Sequence, residues 1–121
     1  MSNTSPSIFS RIIAREIAAD IVFESDEVIA FRDVAPQAPV HILIVPKTEA
    51  YRNVAELAAG DPALLSRIVA TAQLLADEYS TGDFRLAFNT GAGAGQTVFH
   101  VHAHLLAGTT TESLTEGSLA D

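Results

Sequence analysis

Apolar residues recur along this chain with two different periods. In IFSRIIARE they stand at positions 8, 9, 12 and 13, one stripe at helical spacing, so a short helix is expected there. DIVFES and EVIAFRD read as two strands joined by a tight turn at Ser25-Asp26. HILIVPK is a short, largely β-branched run closed by Pro46 and reads as a buried strand. Between these strands, VAPQAPV carries two prolines, which remove ladder donors and force extended backbone, so it reads as a rigid connector. Asp61-Pro62 opens the strongest helix, with Asp61 as N-cap and Pro62 in the first turn. Its stripe runs through Leu65, Ile68, Val69, Ala72, Leu75, Ala76 and Tyr79, and Thr81-Gly82 ends it. A weaker helix is expected over 54–59. FRLAFN is a further strand, NTGAGAGQ a glycine-rich loop, and TVFHVHAHLL the last strand. The element order gives an α+β domain: about five mainly antiparallel strands, with one long and one short helix beside the N-terminal helical stretch.

With 121 residues the chain is expected to form one domain over 1–108. The segment 109–121, polar and without aromatics, is expected to be a flexible tail. Cysteine is absent, which removes any disulfide scaffold or thiolate site and suits a cytoplasmic protein. No secretory leader is expected from MSNTSPSIFSRII, and no apolar run approaches the ~18 residues of a membrane span, so no membrane partner is expected. The formal charge of −8, from 15 acids and 7 bases, disfavours nucleic acid as a partner. A small anionic ligand would need local donors instead. The charged fraction of 18% is lower than usual, which suits an additional buried surface such as a dimer interface.

The last strand concentrates the chemistry. Three of the four histidines, His100, His102 and His104, stand at alternate positions, so they share one strand face with roots ~6.6 Å apart. Val101, Ala103 and Leu105 then face the core. Three readings are open from these residues. Any one imidazole could be structural, hydrogen-bonded to backbone or neighbour, and His100 suits that best. A metal could be held, but imidazoles so spaced need a third ligand from elsewhere, typically His, Asp or Glu, and with no Cys in the chain only His41 is spare among the histidines. Or a neutral imidazole acts as nucleophile near pH 7 beside a phosphate cradle. The cradle would be the loop Gly91–Gly95, where glycines admit an anion close to backbone N–H groups, with side-chain donors from Asn89, Gln96 and Thr97. The same loop could also be merely flexible.

GQTVFHVHAHLL resembles the signature of the histidine triad family of nucleotide hydrolases and transferases, in which three histidines alternate with apolar residues. IFSRIIAREIAADIVFESDEVIAFRDVAPQAPVHILIVPK is similar to the N-terminal half of that family's nucleotide-binding branch, the purine nucleoside phosphoramidases. The likeness spans about residues 8 to 108. It implies the histidine triad fold, with the sheets of two protomers joined in a homodimer, and no cofactor. It further implies cleavage of the P–N bond of purine nucleoside 5′-phosphoramidates through a covalent nucleotidyl-histidine. His102 corresponds to the nucleophile, His104 to the histidine that hydrogen-bonds the phosphate, and His100 to the one whose carbonyl holds the nucleophile's other nitrogen. His41 matches a fourth histidine tied to that network.

Asn89, Gly95 and Thr97 match phosphate-contacting positions, Thr97 on the leaving-group side. Phe31 and Asp33 match residues that meet the base and the ribose, helped by those at Ile8, Phe9, Ile12 and Val34. A carboxylate following an aromatic on one strand face suits that task, since it accepts from both ribose hydroxyls. Two other activities stand beside this one: dinucleoside polyphosphate hydrolysis, and nucleotide binding with little turnover. Some relatives hold a structural zinc through an N-terminal Cys pair and later histidines. Here Ser7 and Ser10 replace the pair and Glu49 stands in place of one histidine, so no metal is expected.

Overall fold

The computed structural model describes residues 7–108, so the expected tail at 109–121 lies outside the described residues. In chain order the elements are α1 (Ile8–Ile13), β1 (Ile21–Glu24), β2 (Val28–Arg32), β3 (Val40–Pro46), α2 (Val54–Gly60), α3 (Pro62–Tyr79), β4 (Arg85–Ala87) and β5 (Ala103–Ala107). A single 3-10 turn covers Ala92–Ala94. The five strands form one antiparallel sheet in the order β1-β2-β3-β5-β4.

Local chemistry explains most of these boundaries. The β1–β2 turn closes by a bond from Ser25 N–H to the Val28 carbonyl at 2.8 Å, and the Ser25 hydroxyl accepts from Val28 N–H at 3.1 Å. Asn53 caps α2 by accepting from Glu56 N–H at 2.9 Å, and Asp61 caps α3 by accepting from Leu64 N–H at 3.1 Å. Gly82, at φ +96°, takes the left-handed backbone that carries the chain away from α3.

The sheet is covered on both sides. One face packs Val28, Ala30, Ile42, Ile44, Ala103 and Leu105 against Leu64, Ile68, Ala72, Leu75 and Ala76 of α3. The intervening residues Ile29, Phe31, Leu43 and Val45 form a second, smaller cluster with Phe9 and Ile12 of α1. Two expectations change. Val69, placed in the core stripe of α3 by its spacing, is 44% exposed, because the buried face is narrower and centres on Leu64, Ile68, Thr71, Ala72, Leu75 and Ala76. The last strand begins at Ala103 and not at Thr97. Before it the backbone bonds elsewhere, with Val101 N–H donating to the Tyr51 carbonyl at 3.0 Å. Inside–outside alternation nevertheless continues through this stretch, since Val101 is buried in the same cluster as Ala103 and Leu105.

Candidate active site

All four histidines gather on the α1 side of the sheet. His41 comes from β3 and His104 from β5, and the strands' pairing sets Leu43 opposite His104 and His41 opposite Leu106. His100 and His102 precede β5 and are 2% and 9% exposed. The rings of His102 and His104 are 5.1 Å apart, those of His41 and His104 5.3 Å, and Phe9 lies edge-on to His102 at 4.8 Å. Phe9 also meets Phe31 at 5.7 Å, so α1 closes over both the triad and the end of β2.

Each neutral imidazole has one N–H and one lone pair, so fixed backbone partners assign the tautomers. The Pro46 carbonyl only accepts, so His100 donates from Nε2 at 2.7 Å, and its Nδ1 lone pair faces the hydroxyls of Ser7 at 3.2 Å and Ser10 at 3.5 Å. The His100 carbonyl accepts from His102 Nδ1 at 2.8 Å, which leaves the His102 lone pair on Nε2. On the other side, Gln37 N–H donates to His41 Nδ1 at 3.0 Å, so His41 carries its proton on Nε2. That N–H lies 3.0 Å from His104 Nδ1, which must therefore accept, and His104 holds its proton on Nε2. His104 Nε2 is the buried side-chain polar atom that lacks a partner among the described residues. One chain of hydrogen bonds thus ends in a lone pair on His102 and another in an unused N–H on His104.

Burial keeps the cluster uncharged. It lowers the pKa of His41, His100 and His102 below the ordinary 6.5, opposed by Asp33 at His41 and by the accepting carbonyls at the other two. His104 is pushed down to about 4 by burial first and then by the neighbouring His102 and His41. At neutral pH the site offers a nucleophilic nitrogen and an N–H donor without a net positive charge.

A HIT domain model matches residues 14–111 of the chain. The chain belongs to the HIT family. It is 52% identical over 103 residues to an uncharacterised HIT-like protein of Synechococcus elongatus, covering 84% of this chain and 90% of that one. It is 43% identical over 104 residues to the purine nucleoside phosphoramidase of Escherichia coli, covering 84% and 87%. A HIT family hydrolase structure from Clostridium thermocellum superposes with a TM-score of 0.83 at 37% identity, covering 94% and 99%.

Other expected site residues of this HIT chain are distributed unevenly. The loop is a tight turn in which Gly91 and Gly95 have φ of +89° and +93°, values that favour glycine. Asn89 sits beside Gly95, its amide nitrogen 4.0 Å from where a Cβ on that residue would stand. Thr97 is exposed. Gln96 requires a correction as a phosphate donor. Its amide donates to the carbonyls of Arg52 at 2.6 Å and Val98 at 3.0 Å, its Oε1 accepts from Gly91 N–H at 2.8 Å, and its own N–H bonds the Gly91 carbonyl. The whole side-chain amide of Gln96 and its backbone N–H are engaged, so it braces the loop. Around the expected nucleoside position, Phe9, Ile12 and Phe31 are buried, Ile8 is 48% exposed and Val34 99%. Asp33 Oδ1 accepts from Ala35 N–H at 2.9 Å, and Oδ2 lies 3.3 Å from His41 Nε2.

Asp33, His41 and His104 bring one oxygen and two nitrogens within 4.8 Å of one another, a grouping that could hold a cation by size. The Gln37 N–H on His41 Nδ1 argues against it, because the Nε2 that would ligate then carries a proton. At the other end, Ser7 and Ser10 offer neutral hydroxyls to His100, a poor donor set for zinc.

Sequence reasoning had no hold on Gln37, Pro46 or Ser10 as parts of the network. Gln37 and Pro46 act through backbone groups, which residue type does not reveal. One signal existed for Gln37: in VAPQAPV, Pro36 and Pro39 have no N–H, so Gln37 and Ala38 carry the donors between them.

Proposed function

We propose that this protein cleaves the P–N bond of purine nucleoside 5′-phosphoramidates through a nucleotidyl-His102 intermediate. The observation that carries the reading is the pinned His102 ring, with Nδ1 bonded to the His100 carbonyl at 2.8 Å and its lone pair therefore on Nε2. In the first step Nε2 forms a bond to the α-phosphorus as the P–N bond breaks, and the amine departs with a proton drawn from solvent, which the attacking water gives back in the second step. The buried Nε2–H of His104 donates to a phosphoryl oxygen, where charge grows in the transition state. Water then breaks the P–N(His102) bond, releasing the nucleoside monophosphate and restoring the imidazole. Asn89, Gly95 and Thr97 line the phosphate side, and Phe31 and Asp33 take the base and ribose. The similarity to the Escherichia coli phosphoramidase supports the choice of leaving group.

Single-turnover mixing with adenosine 5′-monophosphoramidate tests the reading. A transient protein adduct of one nucleotidyl group, absent in His102→Ala, is expected; turnover surviving that substitution would remove His102 from the role. We also propose a homodimer. Val69 and Leu74 leave apolar surface on the outer face of α3, at 44% and 50% exposure. Light scattering of the purified chain should give twice the chain mass, and a monomer would end this part of the reading.

A further inference from the structure

His102 owes its direction to a carbonyl that strand pairing does not hold. β5 begins at Ala103, so the His100 carbonyl that accepts from His102 Nδ1 lies ahead of the sheet ladder. Residue 100 is anchored by its own ring instead. Nε2–H donates to the Pro46 carbonyl at the end of β3 at 2.7 Å, and Nδ1 faces the hydroxyls of Ser7 at 3.2 Å and Ser10 at 3.5 Å. One nitrogen is thus held by β3 and the other by the start of α1.

The two serines supply Nδ1 with a donor in either arrangement of their hydroxyls. As the cap of α1, the Ser7 oxygen accepts from Ser10 N–H at 3.1 Å. Its own hydrogen is then free for His100, or for the Ser10 oxygen at 3.3 Å, whose hydrogen turns to His100. A hydroxyl suits this place better than a carboxylate would. It leaves Nδ1 an acceptor and the ring proton on Nε2, whereas a carboxylate would draw that proton to Nδ1 and release the Pro46 carbonyl. Between the serines, Phe9 lies edge-on to His100 at 6.1 Å and to His102 at 4.8 Å, so one turn of helix seats both rings.

We propose that Ser7 and Ser10 are positioning residues for the nucleophile, acting through the His100 ring on the carbonyl that orients His102. This rests on the reading of His102 as nucleophile given above. Without the hydroxyls, Nδ1 of His100 is a buried acceptor with no donor, and the ring tilts to relieve it. The His100 carbonyl moves with the ring, and the bond from His102 Nδ1–H weakens. His102 Nε2 is then aimed less directly at the phosphorus, so the loss falls on the chemical step. A purely structural role for the serines would lower stability and leave kcat of the folded protein alone.

The test uses the full chain with ¹⁵N-labelled histidine and reads the His102 Nδ1–H proton by NMR beside the single-turnover rate on adenosine 5′-monophosphoramidate. Ser7→Gly/Ser10→Ala removes both hydroxyls at little cost to α1, because glycine is an acceptable N-cap and alanine favours a helix. In this variant the Nδ1–H resonance should move upfield and exchange faster with solvent. The saturating nucleotidylation rate should fall about tenfold, the size of one hydrogen bond, with KM close to that of the parent. Ser7→Thr, which keeps both hydroxyl and cap, should hold the parental resonance and rate. Ser7→Gly alone removes the nearer hydroxyl and should show the same changes in smaller measure, which serves if the double variant does not fold. A lower urea midpoint with resonance and rate unchanged would overturn the proposal. If the parent formed no nucleotidyl adduct, the nucleophile reading would fall separately. The hold of the serines on His102 would then be judged by the resonance: a shift supports it, and an unmoved proton overturns it.

Discussion

Toward α3 the sheet presents Ile42, Ile44, Ala103 and Leu105, fully buried and satisfied by contact alone. Toward α1, the residues beside them in the chain are His41, Leu43, His102 and His104. Both faces come from the same strands at alternate positions, yet they obey different rules. An aliphatic side chain needs only apolar neighbours, at roughly 25 cal/mol per Å² removed from water. A buried imidazole needs a partner for each nitrogen, or it costs about 1–3 kcal/mol for each one left bare. The histidine face meets that demand with backbone groups of Gln37, Pro46 and His100, which fix tautomers as they satisfy them. Two nitrogens stand apart: the His102 Nε2 lone pair, which ends its chain of bonds, and His104 Nε2, a buried donor without a partner among the described residues. A buried donor left bare beside so many fixed partners is best explained as reserved for a ligand.

This contrast predicts that the two faces fail differently. His102→Ala should lower the rate of protein nucleotidylation by at least about a thousandfold, while the urea midpoint stays close to that of the parent. Ile44→Ala, on the opposite face, should cost about 2–5 kcal/mol in urea unfolding, with kcat of the folded protein largely kept. A collapse of kcat in Ile44→Ala without loss of stability would erase the division. Next in size, His104→Ala should lower kcat about a hundredfold, as expected for one donor to a developing oxyanion. His104→Gln, which keeps a side-chain N–H, should recover part of that loss. Gln96→Ala lies between the two regimes. It removes three hydrogen bonds that hold the loop to residues 52, 91 and 98. A loss of roughly 1–3 kcal/mol in stability is expected, with a rise in KM for the phosphate-bearing substrate. An unchanged KM would mean that the loop does not hold the phosphate.

Elements whose signals are local could be read from the sequence. Asp61-Pro62 announces α3, Ser25-Asp26 the first hairpin, and the alternation in HVHAHLL the shared face of the histidines. The pairing of β3 with β5 could not be read, because nothing local states which strands become neighbours; yet it is this register that brings His41 to His104. The start of β5 was hidden for a related reason. Residues 97–102 keep the alternation of a strand while their backbone bonds to Tyr51 and to the side chains of Gln96 and His102. Gln96 misled because its composition suggests a donor to a ligand, and only the fold shows how completely Arg52, Val98 and Gly91 occupy it. Val69 misled because helical spacing gives the direction of a stripe and not its width.

The smallest expected effect concerns pH, and it separates the faces again, since the α3 side holds no histidine. The proposed attack requires a neutral His102, and burial lowers its pKa from the ordinary 6.5. The nucleotidylation rate should therefore be level on the alkaline side of neutrality and fall to half only at a pH below 6.5. Stability should follow a related course. In the unfolded chain each histidine binds a proton near its ordinary 6.5, whereas the folded protein resists until lower pH. Above that pH neither state is protonated, and the histidines contribute no slope. Below it the unfolded state binds more protons, so the free energy of unfolding falls as pH falls. For His104 this window runs from 6.5 to about 4, beneath which both states are protonated and its contribution stops changing. Urea midpoints across that range, for the parent and His104→Gln, isolate this one group from the carboxylates that titrate nearby. The variant should show the shallower slope. Equal slopes would mean that the fold does not hold His104 neutral, and the donor assigned to its Nε2 would lose its basis.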